Sequence, residues 1–209
     1  MLNFLRTMSI KNKIKTLSFF PLVFIIGMSF YIDMNLYNKQ SKLVDVKEII
    51  DLNERISLLL HETQKERGIT SAFLGTKGAK FKDTLITQKE LTNKNIEEFK
   101  KTINKISVEK YPENGKNLID NVLKELSSIQ NIRSDVDSLA IDAKKAIAYY
   151  TDLNATLLSF VALTSTIADS ESTIKSIIAY YNFLMAKERA GIERAVGSNT
   201  FASKTFASG

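Results

Sequence analysis

Apolar residues recur along most of this chain at spacings of three, four and seven, which is the rhythm of an amphipathic helix. No stretch alternates with the two-residue period of a strand. The first apolar segment is of another kind. From Thr16 to Ile32 there is no charged residue, and as a helix that run spans about 26 Å, slightly short of a ~30 Å hydrocarbon core. Lys15 can snorkel at one end and Tyr31 can sit at the interface at the other, which closes the gap. Residues 16–32 are therefore predicted to form a retained transmembrane helix. A cleavable signal peptide fits less well, because Ser-Phe-Tyr-Ile-Asp-Met follows Gly27-Met28 where a small-x-small cleavage site would be needed.

Beyond Asp33 the helical spacing resumes through Leu43, Val46, Ile49, Ile50, Ile56, Leu59 and Leu60, so the first helix is predicted to continue to Leu74. Gly75-Thr76-Lys77-Gly78 ends it, with glycines suited to a left-handed cap. A second helix is predicted over Phe81–Ile106, a turn over Val108–Gly115 around Tyr-Pro-Glu-Asn-Gly, and a third helix from about Lys116. A fourth covers about Ala143–Ala168. Asp169-Ser170-Glu171-Ser172 supplies a break with fresh capping residues, and a fifth helix runs from about Ser172 to Val196. The fold class is all-α: an up-and-down antiparallel helical bundle, residues 33–196, following an N-terminal transmembrane helix. Residues 197–209 are small, polar and unperiodic, and are expected to be a flexible tail.

Composition adds a few exclusions. The chain has 209 residues and no cysteine, so disulfide frameworks and cysteine metal sites are impossible. The net charge of +6 is spread over Lys-rich helix faces without a basic face interleaved with aromatics, which argues against nucleic-acid binding. Arg6, Lys11, Lys13 and Lys15 all precede the apolar run, so residues 1–15 should stay cytoplasmic and the bulk of the chain should lie outside. No Ser/His/Asp set, paired carboxylates, zinc spacing or phosphate loop occurs, so the chain is not expected to be an enzyme or to hold a cofactor or metal. His61, the lone histidine, is expected at or near the surface, and Tyr149, Tyr150, Tyr180 and Tyr181 are expected to be packing residues.

One cation is out of place. In His61-Glu62-Thr63-Gln64-Lys65-Glu66-Arg67-Gly68-Ile69, Arg67 falls within roughly 40° of Ile56, Leu60 and Leu74 on a helix of about 100° per residue. A guanidinium on an apolar stripe cannot be neutralised, so a carboxylate or a bound anion must meet it. A similar segment stands late in the chain, Lys187-Glu188-Arg189-Ala190-Gly191-Ile192-Glu193-Arg194-Ala195. The echo suggests a pseudo-repeat whose second half is unfinished here. Two arginine forks on facing helices would surround a planar anion with in-plane donors, a task lysine performs less well. Gln64 and Ser71 share the Arg67 face, and the small residues Gly68, Ala72, Ala190, Gly191 and Ala195 leave room for a small ligand. Thr164 and Ser165 offer further hydroxyls that the pattern does not place. The ligand-free alternative pairs Arg67 with Glu188 and Arg189 with Glu66 as crossed structural salt bridges.

These two segments, with Phe81, Gln88 and the stretch Tyr150–Leu157, resemble the nitrate- and nitrite-sensing (NIT) domain family, the helical input modules of bacterial chemoreceptors, sensor kinases and some antitermination regulators. The resemblance covers roughly Asp45–Gly209. It implies a periplasmic helical bundle at the inner membrane, usually a homodimer, that binds nitrate or nitrite through arginines. The family's arginines map onto Arg67 and onto Arg189 or Arg194; the periodicity favours Arg189. The ligand-binding candidates are thus Arg67, Arg189, Arg194, Gln64 and Ser71. Family domains run on past the second segment, so the chain is expected to be a fragment of a longer receptor or a truncated reading frame. The rival expectation is a structural or protein-interaction bundle at the membrane with no anion ligand, and a sensor of a different small anion is the third.

Overall fold

The computed structural model describes residues 9–106, 111, 113–168 and 170–205, with residues 38–45 described in their backbone alone. Among them are five helices and no strand: α1 (Ile10–Gly75), α2 (Lys82–Ile103), α3 (Glu113–Asp137), α4 (Ala143–Ile167) and α5 (Glu171–Ser203). Half of the turn expected at Val108–Gly115, the first eight residues and residues 206–209 lie outside the described residues. The chain divides into two units, residues 1–45 and 46–209.

In the first unit, Ile10–Tyr37 is helical over 28 residues, with a mean hydropathy of 1.8 and nothing buried. Its length, about 42 Å at the α-helical rise, exceeds a hydrocarbon core, and it runs past both ends of the expected 16–32. Phe20 and Phe24 stand about two-thirds exposed, at 67% and 68%. Thr16 hides its hydroxyl by donating to the Asn12 carbonyl at 2.8 Å. Ala143–Ile167 is also long and apolar enough to cross a membrane, but 44% of it is buried among its neighbours in the second unit.

In the second unit the apolar faces close on one another. Leu52, Ile56, Leu59 and Leu60 of α1 meet Phe99 of α2, Val122 of α3 and Tyr150, Leu153, Leu157 and Phe160 of α4 in a single cluster. Tyr180 and Tyr181 of α5 pack against it half-buried, as packing residues should. The cross-helix hydrogen bonds set the sense of each pair. Asn53 meets Thr164, Thr63 meets Asn154 and Arg67 meets Thr151, so α4 runs opposite to α1. Lys89 meets Asp137 and Asn93 meets Arg133, so α3 runs opposite to α2. Gln64 meets Glu188 and Ser71 meets Ala195, so α5 runs with α1.

The helix ends follow local chemistry. Asp142 caps α4 by accepting from the Lys145 amide at 2.7 Å, and Ser170 caps α5 by accepting from the Thr173 amide at 3.1 Å. The end of α1 meets the glycine expectation in part, with Gly78 left-handed at φ 78° but preceded by a second left-handed residue. Gly78 N–H donates to Phe73 O and Lys77 N–H to Leu74 O, a Schellman arrangement with Lys77, at φ 52°, in the left-handed position. Leu139, at φ 58°, does the same after α3, with Ala140 N–H donating to Asp135 O. The end of α5 needs a larger correction: the helix does not stop at Val196 but continues to Ser203. The reason is packing. A Cβ on Gly75 would lie 2.9 Å from Ala202 Cβ and 2.9 Å from Asn199 Oδ1, so the last turns of α5 rest against the end of α1 at a close approach that only glycine permits.

Candidate functional site

Arg67 is fully buried between α1, α4 and α5. Its guanidinium is not unpaired: Nη1 donates to Glu188 Oε1 and, at 3.0 Å, to Thr151 Oγ1, while Nη2 lies 3.2 Å from Glu188 Oε2. Two amides reach the same carboxylate, Gln64 Nε2 at 2.7 Å and Asn154 Nδ2 at 3.2 Å. Asn154 is held in turn by the Thr63 hydroxyl, which donates to its Oδ1 at 2.6 Å. A fork and two amides from α1 and α4 therefore converge on one planar, singly charged oxygen pair of α5. In a dry interior such charge-assisted bonds are about twice as strong as neutral ones. Two polar atoms of this set have no partner among the described residues: Arg67 Nε and Gln64 Oε1.

The arrangement depends on Gly191. A Cβ there would come within 2.8 Å of Arg67 Nη2, closer than atoms can stand, and 3.9 Å from Arg194 Nη2. The termini of Arg67 and Arg194 thus approach the same point on α5. Arg194 is otherwise exposed. With Gln64, Lys65, Gly68, Ala72 and Phe201 it lines an open groove of about 680 Å³ beside the buried set. Arg189 does not belong here. It is exposed and 200° around the helix from Gly191, so it stands off the apolar face on whose edge the periodicity placed it. The buried stripe of α5 is Leu184, Glu188, Gly191 and Ala195, and Arg189 falls outside it. Ser71 is buried on the expected face, but its hydroxyl donates to the Ala195 carbonyl at 2.6 Å and so ties α1 to α5. Thr164 sits with Asn53, far along α1 from Arg67. His61 is exposed, 3.2 Å from Lys187 Nζ; partial burial and the Lys187 charge hold its pKa below the usual imidazole value.

Of the crossed pairs, Arg67–Glu188 forms and Arg189–Glu66 does not. Glu66 instead takes Arg133 of α3, at 2.7 Å from Nε and 2.8 Å from Nη2, with the Tyr150 hydroxyl donating to Oε1 at 2.7 Å. Arg133 Nη1 also reaches Asn93 at 2.6 Å. Burial works against the Arg133 charge, but the Glu66 carboxylate more than offsets it and raises the pKa. Burial and Glu66 together push the Tyr150 hydroxyl well up. This network is closed and structural. Its signal was present in the sequence, since Arg133 stands at helical spacing from Leu126, Ile129 and Val136, the same test that singles out Arg67. Asn154 and Thr151 had no such signal, because short polar residues on a core helix are ordinary.

A family model described as nitrate and nitrite sensing (NIT) matches residues 58–209, which include Gln64, Arg67, Glu188 and Arg194. Among solved structures the chain is similar to the structure of the NasR transcription antiterminator, with a TM-score of 0.75 and 21% sequence identity over 87% of this chain and 49% of that one. At that identity the likeness is one of fold, and the chain spans about half the length of that structure. No curated protein matches the chain.

Proposed function

The chain belongs to the nitrate and nitrite sensing (NIT) family, and we propose that it is a membrane-anchored sensor that binds nitrate or nitrite between α1 and α5. The observation that carries this reading is the buried Arg67 fork with its converging donors Gln64 and Asn154. Nitrate and nitrite are small, planar and singly charged, and a guanidinium fork meets two coplanar oxygens of either. Arg194, at the mouth of the groove, supplies the second positive charge that guides the anion inward.

In this reading the second unit is an up-and-down bundle, supported by the alternating sense of the helix pairs, and it lies in the periplasm. The uncovered apolar surface of Ile10–Tyr37 fits lipid, and Lys11, Lys13 and Lys15 keep the N-terminus cytoplasmic. The protein acts as a homodimer, the input part of a chemoreceptor or sensor kinase. A ligand relays its presence only by binding one helix arrangement better than another. The shift here is one of α5 against α1.

The second reading is a structural or partner-binding bundle with no anion, and the Arg67–Glu188 pair favours it, because Arg67 already has a counter-charge. Calorimetric titration of the detergent-solubilised full chain with nitrate, nitrite, chloride and sulfate separates the two. The sensor reading expects saturable binding of nitrate or nitrite while chloride and sulfate stay silent. Silence from all four, in folded protein, supports the structural reading.

A further inference from the structure

We propose that the Glu188 carboxylate is a built-in occupant of the anion site, and that nitrate or nitrite binds by displacing it from the donors of Arg67, Gln64 and Asn154. The inference rests on the sensing reading and says what that site contains before the ligand arrives. A carboxylate presents two coplanar oxygens sharing one negative charge, as nitrite does and as two of the three nitrate oxygens do. Glu188 accepts from both Nη atoms of Arg67 and from two side-chain amides, so it uses the donors an external planar anion would need. Among the described residues no other acceptor meets the Arg67 fork except the Thr151 hydroxyl.

The route is also present. Gln64 belongs both to the buried set, through Nε2 on Glu188, and to the wall of the open groove, where Lys65 and Arg194 add positive charge and none of the described lining residues is acidic. Its Oε1 is buried without a partner, so rotating the amide out costs it no bond on that side. An anion drawn along the groove meets Gln64 first and Arg67 behind it. Glu188 sits on α5 between Leu184 and Gly191, so expelling its carboxylate removes the ion pair that holds α5 to α1. Ligand binding and helix release then become one event. A preoccupied site also lowers the apparent affinity by the fraction of molecules in which the site is empty.

The test is titration of full-length wild type, Glu188→Gln and Glu188→Ala with potassium nitrate, sodium nitrite, sodium acetate and sodium chloride, with helicity checked by circular dichroism. Removing the occupant should tighten nitrate or nitrite binding by about ten-fold or more, the factor for a site less than one-tenth free in the wild type. Glu188→Ala should also acquire saturable acetate binding that wild type lacks, and its melting temperature should rise with acetate or nitrate but not with chloride. If folded Glu188→Gln and Glu188→Ala bind nitrate no more tightly than a wild type that does bind it, the displacement is refuted and the sensing reading stands. If wild type is silent while Glu188→Ala binds nitrate and acetate, the occupancy is upheld and native sensing fails. Silence in all three refutes both. Should Glu188→Ala not fold in any of these salts, Glu188→Gln alone decides, with unchanged or weaker binding counting against displacement.

Discussion

Replacing Arg67 with methionine probes the buried ion pair by leaving Glu188 at 4% exposure with no cation, only the amides of Gln64 and Asn154. Breaking a buried pair from one side costs about 3–5 kcal/mol, since the remaining charge has lost its counter-charge without regaining water. For a domain of 150–250 residues each kcal/mol lowers the melting temperature by roughly 2–4 °C, so a fall of about 6–20 °C is expected. The total stability of such a domain is only about 5–15 kcal/mol, so the variant should sit near the edge of folding. The double variant Arg67→Met/Glu188→Leu removes both charges and fills similar volume. Buried pairs replaced in this way are often neutral or better, so most of the loss should return. Guanidinium unfolding of full-length protein in mild detergent, followed by circular dichroism, reads both. The reasoning is refuted if Arg67→Met costs less than about 1 kcal/mol, or if the double variant is no more stable than the single one.

Three further outcomes follow from the geometry. Gly191→Ala should weaken nitrate binding measured by calorimetry, because its Cβ would lie 2.8 Å from Arg67 Nη2 and push the fork off its partners; helicity should be kept, as alanine gains about 1 kcal/mol of helix propensity over glycine. Lys77→Gly should raise stability by roughly 1 kcal/mol in the same unfolding assay, since the exposed Lys77 holds φ 52° at a position where a Cβ is penalised. His61, the single histidine, should titrate below 6.5 by NMR, and Lys187→Ala should move it back upward by removing one of the two leading causes of the shift. Because the folded state binds this proton less readily than the unfolded chain, its contribution to stability is lost as pH falls through 6.5.

The helices were legible because their stripes are long and their breaks carry Gly, Pro, Ser and Asp. Arg67 was legible for the same reason, as a charge at the period of Ile56 and Leu60. What remained hidden depends on which helix faces which. Glu66 stands next to Arg67, yet it turns to Arg133 on α3, and no spacing within one segment could choose between Arg133 and Arg189. The facing of Arg189 was misread for a related reason. Ile178 and Val196 made the Arg189 side look apolar, but they stand 47% and 44% exposed, and the buried stripe runs through Gly191 instead. The end of α5 was misread because Ser198, Asn199 and Thr200 look like a loop until Gly75 offers them a surface to pack on. Lys77 and Leu139 show the limit of cap rules: both take the left-handed conformation that glycine adopts at lower cost, Lys77 directly before the left-handed Gly78.

The central claim is that the Arg67 fork holds a planar anion, and the most direct measurement is nitrate and nitrite titration of full-length wild type beside Arg67→Lys. Lysine keeps the positive charge opposite Glu188 and loses only the paired in-plane donors. The account predicts saturable binding by wild type and at least a ten-fold loss in Arg67→Lys while the helical signal persists. Equal binding by both proteins, or binding by neither, would contradict it.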